Sequence, residues 1–93
     1  MAMAPNPDFR WNDWNREQAT KHGCATGEVE SVVRNAGRGF PRDAGHGKWL
    51  VYGRGTGGRM IEVIYVLDAD RTIFVIHAMP VTLRRRRRGG RRR

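Results

Sequence analysis

Met60-Ile61-Glu62-Val63-Ile64-Tyr65-Val66-Leu67-Asp68-Ala69-Asp70-Arg71-Thr72-Ile73-Phe74-Val75-Ile76-His77-Ala78-Met79 is the stretch on which the fold turns. Positions 60–67 are an almost unbroken β-branched and apolar run, 68–71 carry turn residues, and 72–78 form a second β-branched and aromatic run. Two such runs around a short polar turn predict a β-hairpin. Apart from Glu62, the first arm is apolar on both alternating faces, which predicts a central strand covered on two sides. The second arm ends in His77.

Working outward, Lys48 to Tyr52 alternates around Trp49 and Val51 and predicts a strand before the hairpin. The four glycines and two arginines of 53–59 then serve as a connector, giving a three-stranded antiparallel meander with the 60–67 strand at its centre. Positions 37–47, rich in glycine and charge around Pro41, are expected to be a loop. Upstream, Asn12 or Asp13 caps a helix over 14–22, with Gly23 at its left-handed C-terminal position. Thr26 is expected to cap a second helix reaching about Asn35, with Val29, Val32, Val33 and Ala36 on one face. Phe9-Arg10-Trp11 alternates and predicts a short strand at a sheet edge. The expected architecture is therefore α+β, a small antiparallel sheet covered by two N-terminal helices, followed by a short terminal helix capped by Thr82.

The chain has 93 residues, which points to one domain; folding at this size buries roughly 60–65% of the unfolded surface, so the core is modest. Net charge is +9, yet residues 84–93 hold eight arginines and no acid, leaving ten basic and nine acidic groups over 1–83. The division expected is a nearly neutral domain over 1–83 and an arginine-rich tail over 84–93. Such a tail attracts polyanions through a sequence-independent, salt-sensitive interaction. Cys24 is alone, so an intrachain disulfide is excluded. A reducing cytoplasm is the expected setting, with no membrane partner: 1–7 lacks the pattern of a signal peptide, and no apolar run approaches spanning length.

If Leu67 opposes Thr72, Glu62 lies directly opposite His77. A carboxylate beside an imidazole serves acid–base chemistry, and it equally serves as a cross-strand polar pair that relieves Glu62 within an apolar strand; the sequence leaves both readings open. Arg54 and Arg59 flank the glycine-rich connector at the end of the sheet where that register brings out His77. There they grip a phosphodiester or remain ordinary loop cations. The connector lacks the Gly-Lys-Ser/Thr ending of a nucleotide-binding loop and runs into a strand. Lys21 and His22 close the first helix, where a capping role competes with a phosphate contact. Asp68 and Asp70 are turn residues, and no Cys/His cluster suggests zinc. Trp11, Trp14 and Trp49 are candidates for base stacking, with core packing the expectation for most of them.

Phe9-Arg10-Trp11-Asn12, Lys21-His22-Gly23, Trp49 through Gly53-Arg54, the 59–67 strand and Phe74 to Ala78 together resemble the BrnT family of toxins, in order and spacing, over about 9–82. The resemblance implies a RelE-like α/β fold, cleavage of RNA without a metal or other cofactor, and neutralisation by a cognate BrnA-like antitoxin, with oligomers arising only through that complex. For that chemistry the candidates in this sequence are His77, Glu62, Arg54 and Arg59 as catalytic residues and Lys21 as an RNA contact, while the charge of the tail adds Arg84, Arg85, Arg86, Arg87 and Arg88 as RNA-binding. Two departures stand out. The family pattern Ala-Arg-Pro or Ala-Arg-Arg is here Ala78-Met79-Pro80, and the closing helix, mixed in charge in the family, is here almost wholly arginine. They motivate an alternative, a catalytically silent protein that holds RNA or an acidic partner through its tail.

Overall fold

The computed structural model describes residues 7–81. Two helices, α1 (Asp13–Thr20) and α2 (Thr26–Arg34), precede strands β1 (Arg42–Gly45), β2 (Lys48–Arg54), β3 (Met60–Leu67) and β4 (Ile73–Pro80). The strands form one antiparallel sheet in the order β1-β2-β3-β4, so the fold is α+β, with β3 an interior strand.

Local chemistry accounts for the helices. Asn12 caps α1 in a reciprocal box: its side chain accepts from the Asn15 N–H at 3.0 Å, and the Asn15 side chain accepts from the Asn12 N–H at 2.7 Å. Gly23 follows with φ +88°, the left-handed turn that ends the segment. In α2 the expected Thr26 cap is not found. Ala25 occupies the cap position without a side-chain hydrogen bond, and Thr26 is already helical. Val29, Val32 and Val33 are buried at helical spacing, so packing of one face sustains α2 in place of a cap.

The sheet has four strands, not three, because β1 lies within the stretch expected to be a loop. Its Arg-Asp-Ala-Gly sequence carries no β-branched residue, and three of its four positions are exposed. Pairing with β2 is enforced by the turn: His46 and Gly47, at φ 55° and 76°, supply the two positive-φ positions of a type I′ hairpin between Gly45 and Lys48. The N-terminal strand shrinks to a single parallel bridge between Phe9 and Ile73, fixed by Arg10 N–H to Ile73 O and Ile73 N–H to Asp8 O, both 2.9 Å.

The two remaining hairpins close in the same way. Gly55 N–H donates to Arg59 O and Gly58 N–H to Gly55 O; Asp68 N–H donates to Thr72 O and Arg71 N–H to Asp68 O. Each needs one left-handed residue before the returning strand. Gly58 fills that position in one (φ +82°) and Arg71 in the other (φ +72°).

One sheet face packs on α2. Val51, Ile61, Val63, Val75 and Ala78 are at most 1% exposed and close over Val29 and Val32. A Cβ on Gly53 would stand 3.1 Å from the Val32 side chain, so the absence of one lets α2 approach the sheet. Each fully buried Val or Ile contributes roughly 1.5–3 kcal/mol, whereas a solvent-screened surface ion pair such as Arg10–Asp68 adds little, so this layer dominates stability. Helix α1 runs along β4, burying Ala19 and Asn15, whose side-chain amide donates to Arg10 O at 3.0 Å. The terminal helix expected from Thr82 and the tail over 84–93 lie outside the described residues.

Candidate functional site

His77 and Glu62 meet. Nε2 of His77 lies 3.0 Å from Oε2 of Glu62, with side chains 29% and 7% exposed. They do not stand directly opposite, as the simple register predicted. Leu67 pairs with Ile73, Tyr65 with Val75, and then Ile64 with His77 and Glu62 with Met79. Between the second and third of these pairs, β4 carries one additional residue, Ile76, a β-bulge. Val75 and Ala78 both face the helices, and the extra residue turns His77 to the other face of the sheet, where Glu62 also points. The contact is therefore diagonal, within reach of two long polar side chains.

A third group joins them. His22 follows α1 where the chain turns at Gly23, and its ring centroid lies 6.2 Å from that of His77, edge to face. From the sequence, His22 is expected among the helix-capping residues, because its nearness to β4 depends on how α1 docks. Its position directly after Lys21, at a helix end with a left-handed glycine, was the available signal.

The cations divide. Arg54 shares the face of Glu62: Tyr52 opposes Glu62, and Arg54 is two residues further along β2. Its guanidinium donates to Gly58 O at 2.6 Å and is otherwise exposed. Arg59 does not join His77. It reaches the helix side, donating to Gly23 O at 2.7 Å and to Oε1 of buried Glu28 at 3.3 Å. That carboxylate also sits against the connector, where a Cβ on Gly55 would collide with it. Lys21 is exposed at the C-cap of α1, beside His22. Arg84, Arg85, Arg86, Arg87 and Arg88 lie outside the described residues.

The tryptophans divide too. Trp11 is half-buried and its indole N–H donates to Glu30 at 2.7 Å, while Trp49 packs against the core. Trp14 is 51% exposed and lies nearly parallel to Phe74, centroids 6.0 Å apart and planes at 10°.

No family model, curated protein or solved structure matches this chain.

A cavity of about 570 Å³ opens elsewhere, at the hairpin-turn end of the helix-covered face, lined by residues including Val33, Trp49, Tyr65, Leu67 and Arg71. The His77–Glu62 pair lies on the opposite face, so the cavity does not serve it. Among the described residues no group of three His, Cys, Asp or Glu side chains is arranged to hold a metal ion, and no helix is long and apolar enough to cross a membrane.

What the arrangement can do is move protons. Glu62 holds the His77 ring in one orientation through its contact with Nε2. A second imidazole stands close enough for both to address one substrate atom group, with Lys21 and Arg54 as the nearby exposed cations.

Proposed function

We propose that this chain is a BrnT-like ribonuclease toxin of a type II toxin–antitoxin system with a RelE-like fold, acting on RNA in the cytoplasm and held inactive by a cognate BrnA-like antitoxin. The observation that carries the reading is the 3.0 Å His77–Glu62 bond with the His22 ring 6.2 Å from His77. The residues that resemble the family supply His22 and His77 from segments far apart in sequence, and both belong to this one cluster.

The chemistry follows from two imidazoles flanking a phosphodiester. One imidazole takes the proton of a ribose 2′-hydroxyl as its oxygen attacks the adjacent phosphorus. The P–O5′ bond breaks, and the other, protonated imidazole gives its proton to the departing 5′-oxygen. The products are a 2′,3′-cyclic phosphate and a 5′-hydroxyl. His77, held by Glu62, is one member of this pair and His22 the other. Negative charge gathering on the phosphoryl oxygens is met by Arg54, Lys21 and the arginine tail; such stabilisation is commonly the largest contribution to rate. Arg59, tied to Glu28 and Gly23, acts by holding the connector against α2.

Expression of the chain alone, beside His77→Ala and His22→Ala, tests the reading through growth and RNA integrity. Loss of RNA with new 5′-hydroxyl ends is expected from the parent, and rescue by either variant or by the antitoxin. Intact RNA and normal growth from a soluble, folded parent would end it.

A second reading rests on Met79. It directly opposes Glu62, at the position where the family resemblance places an arginine, so that pattern's arginine is replaced by a thioether here. With eight arginines in the tail, the chain then acts as a silent RNA-binding or partner-binding protein. Removal of 84–93 separates the two: a binding arm loses RNA affinity and its steep salt dependence, whereas a catalytic body retains residual cleavage.

A further inference from the structure

Three features follow one another along the seam between α1 and β4. At its start Trp14 stacks near-parallel on Phe74, and the Arg10 guanidinium lies 4.2 Å over the same Phe74 ring, anchored by two hydrogen bonds to Asp68 of 2.8 and 3.2 Å. Midway lie His22 and His77 with Glu62. At the far end β4 stops at Pro80, and the sequence continues into its arginine run. Trp14 is the one exposed large hydrophobic among the described residues, and it is braced by Phe74 without being buried by it. Core packing does not account for an indole left half in water; an aromatic ring held rigid and open on one side is what a nucleobase needs for stacking.

We infer that Trp14, braced by Phe74, is the stacking platform for one base of a single-stranded RNA that runs along β4 past His77. This inference rests on the ribonuclease reading for the identity of the strand. Charge selects a polyanion, since eight of the chain's 18 cationic residues follow β4 in the sequence. Geometry sets the spacing. Phe74 opposes Val66 and His77 opposes Ile64, two residues apart on β3, about 7 Å at roughly 3.3 Å per residue and close to two stacked nucleotides at roughly 3.4 Å each. The base on Trp14 is thus a near neighbour of the scissile phosphate, and its stacking fixes how far along the strand the cut falls. Because every base presents a π-face, the platform sets position without choosing sequence.

The test is binding of a labelled, uncleavable 2′-deoxy-substituted single strand to the full chain, across a salt series, with an abasic strand of the same phosphate count beside it. Trp14→Ala is expected to weaken binding of the base-bearing strand by roughly 5- to 150-fold, to leave the salt slope unchanged because no phosphate contact is removed, and to leave the abasic strand unaffected. Trp14→Phe, which keeps a ring on Phe74, is expected to retain most of the affinity and to report the same effect should the alanine variant fold poorly. Equal binding by parent and both variants, or an equal loss on the abasic strand, overturns the platform. A parent that binds no single strand overturns it as well. A result in which Trp14→Ala binds RNA normally but no longer takes up a protein partner does the same, by reassigning the indole to a protein interface. The assay requires no cleavage, so a chain that binds through Trp14 yet leaves RNA intact refutes the ribonuclease reading and not the platform.

Discussion

Glu62 and His77 are in contact because Ile76 is an extra residue in β4. Without it, His77 would share the face of Val75 and point at the helices; with it, the imidazole lies 3.0 Å from the carboxylate of buried Glu62. Bulges bend a strand and re-aim the following side chain, and here the re-aimed side chain carries the proposed chemistry.

The pair should therefore be coupled energetically as well as chemically. A double-mutant cycle of Glu62→Gln and His77→Ala, followed by urea unfolding, is expected to give an interaction energy above about 0.5 kcal/mol, since the two groups share a hydrogen bond at low exposure. Strict additivity would mean that the contact contributes nothing to the fold.

The two arginines of the connector should behave differently. Arg59→Ala takes the guanidinium from a carboxylate that is 6% exposed and is expected to cost about 1–3 kcal/mol. Arg54→Ala, exposed and bonded only to a loop carbonyl, should stay within about 0.5 kcal/mol of the parent while lowering RNA cleavage. Chemical denaturation measures the first difference and a cleavage assay the second; equal stability of the two variants would remove the structural role given to Arg59.

Matched hairpin turns offer an internal comparison. Arg71 holds a left-handed conformation that costs an L-residue roughly 1–2 kcal/mol, partly offset in Arg71→Gly by the greater freedom of unfolded glycine, so that variant is expected to gain a few tenths to about 1 kcal/mol. Gly58→Ala places a side chain in the equivalent position of the other turn and should lose about 1 kcal/mol. Thermal midpoints moving in the same direction for both would contradict the shared turn geometry.

Much of this fold is legible in the residues themselves. The β3–β4 hairpin, the strand around Trp49 and Val51, and both helices announce themselves through periodicity and turn chemistry. Strand β1 does not, because Arg42-Asp43-Ala44-Gly45 has neither β-branching nor alternation, and its turn uses His46-Gly47 where Asn-Gly is the familiar signal. The bulge at Ile76 is silent as well: one β-branched residue among several carries no mark of being the extra one. The sequence thus names Glu62 and His77 as partners while misplacing their register by two positions. His22 and Trp14 depend on the docking of α1 along β4, a tertiary fact that neither spacing nor composition encodes.

Stability should also respond to alkali through Cys24. Burial pushes this thiol up, with Glu28 adding to the effect and Arg59 opposing it. Below the ordinary thiol value of about 8.5 both folded and unfolded chains hold the proton, and the contribution is fully present. As pH rises from that value through the raised native one, the unfolded chain releases its proton first, and stability falls. Tyr65, also raised by burial, extends the loss at higher pH. Urea midpoints collected from neutral pH upward should therefore decline above the ordinary thiol range. Cys24→Ala should remove the first part of that decline and keep the part due to Tyr65, although the small cavity it leaves lowers its midpoint at every pH. The two curves running parallel through the thiol range would show that Cys24 ionises in the folded chain as it does in the unfolded one.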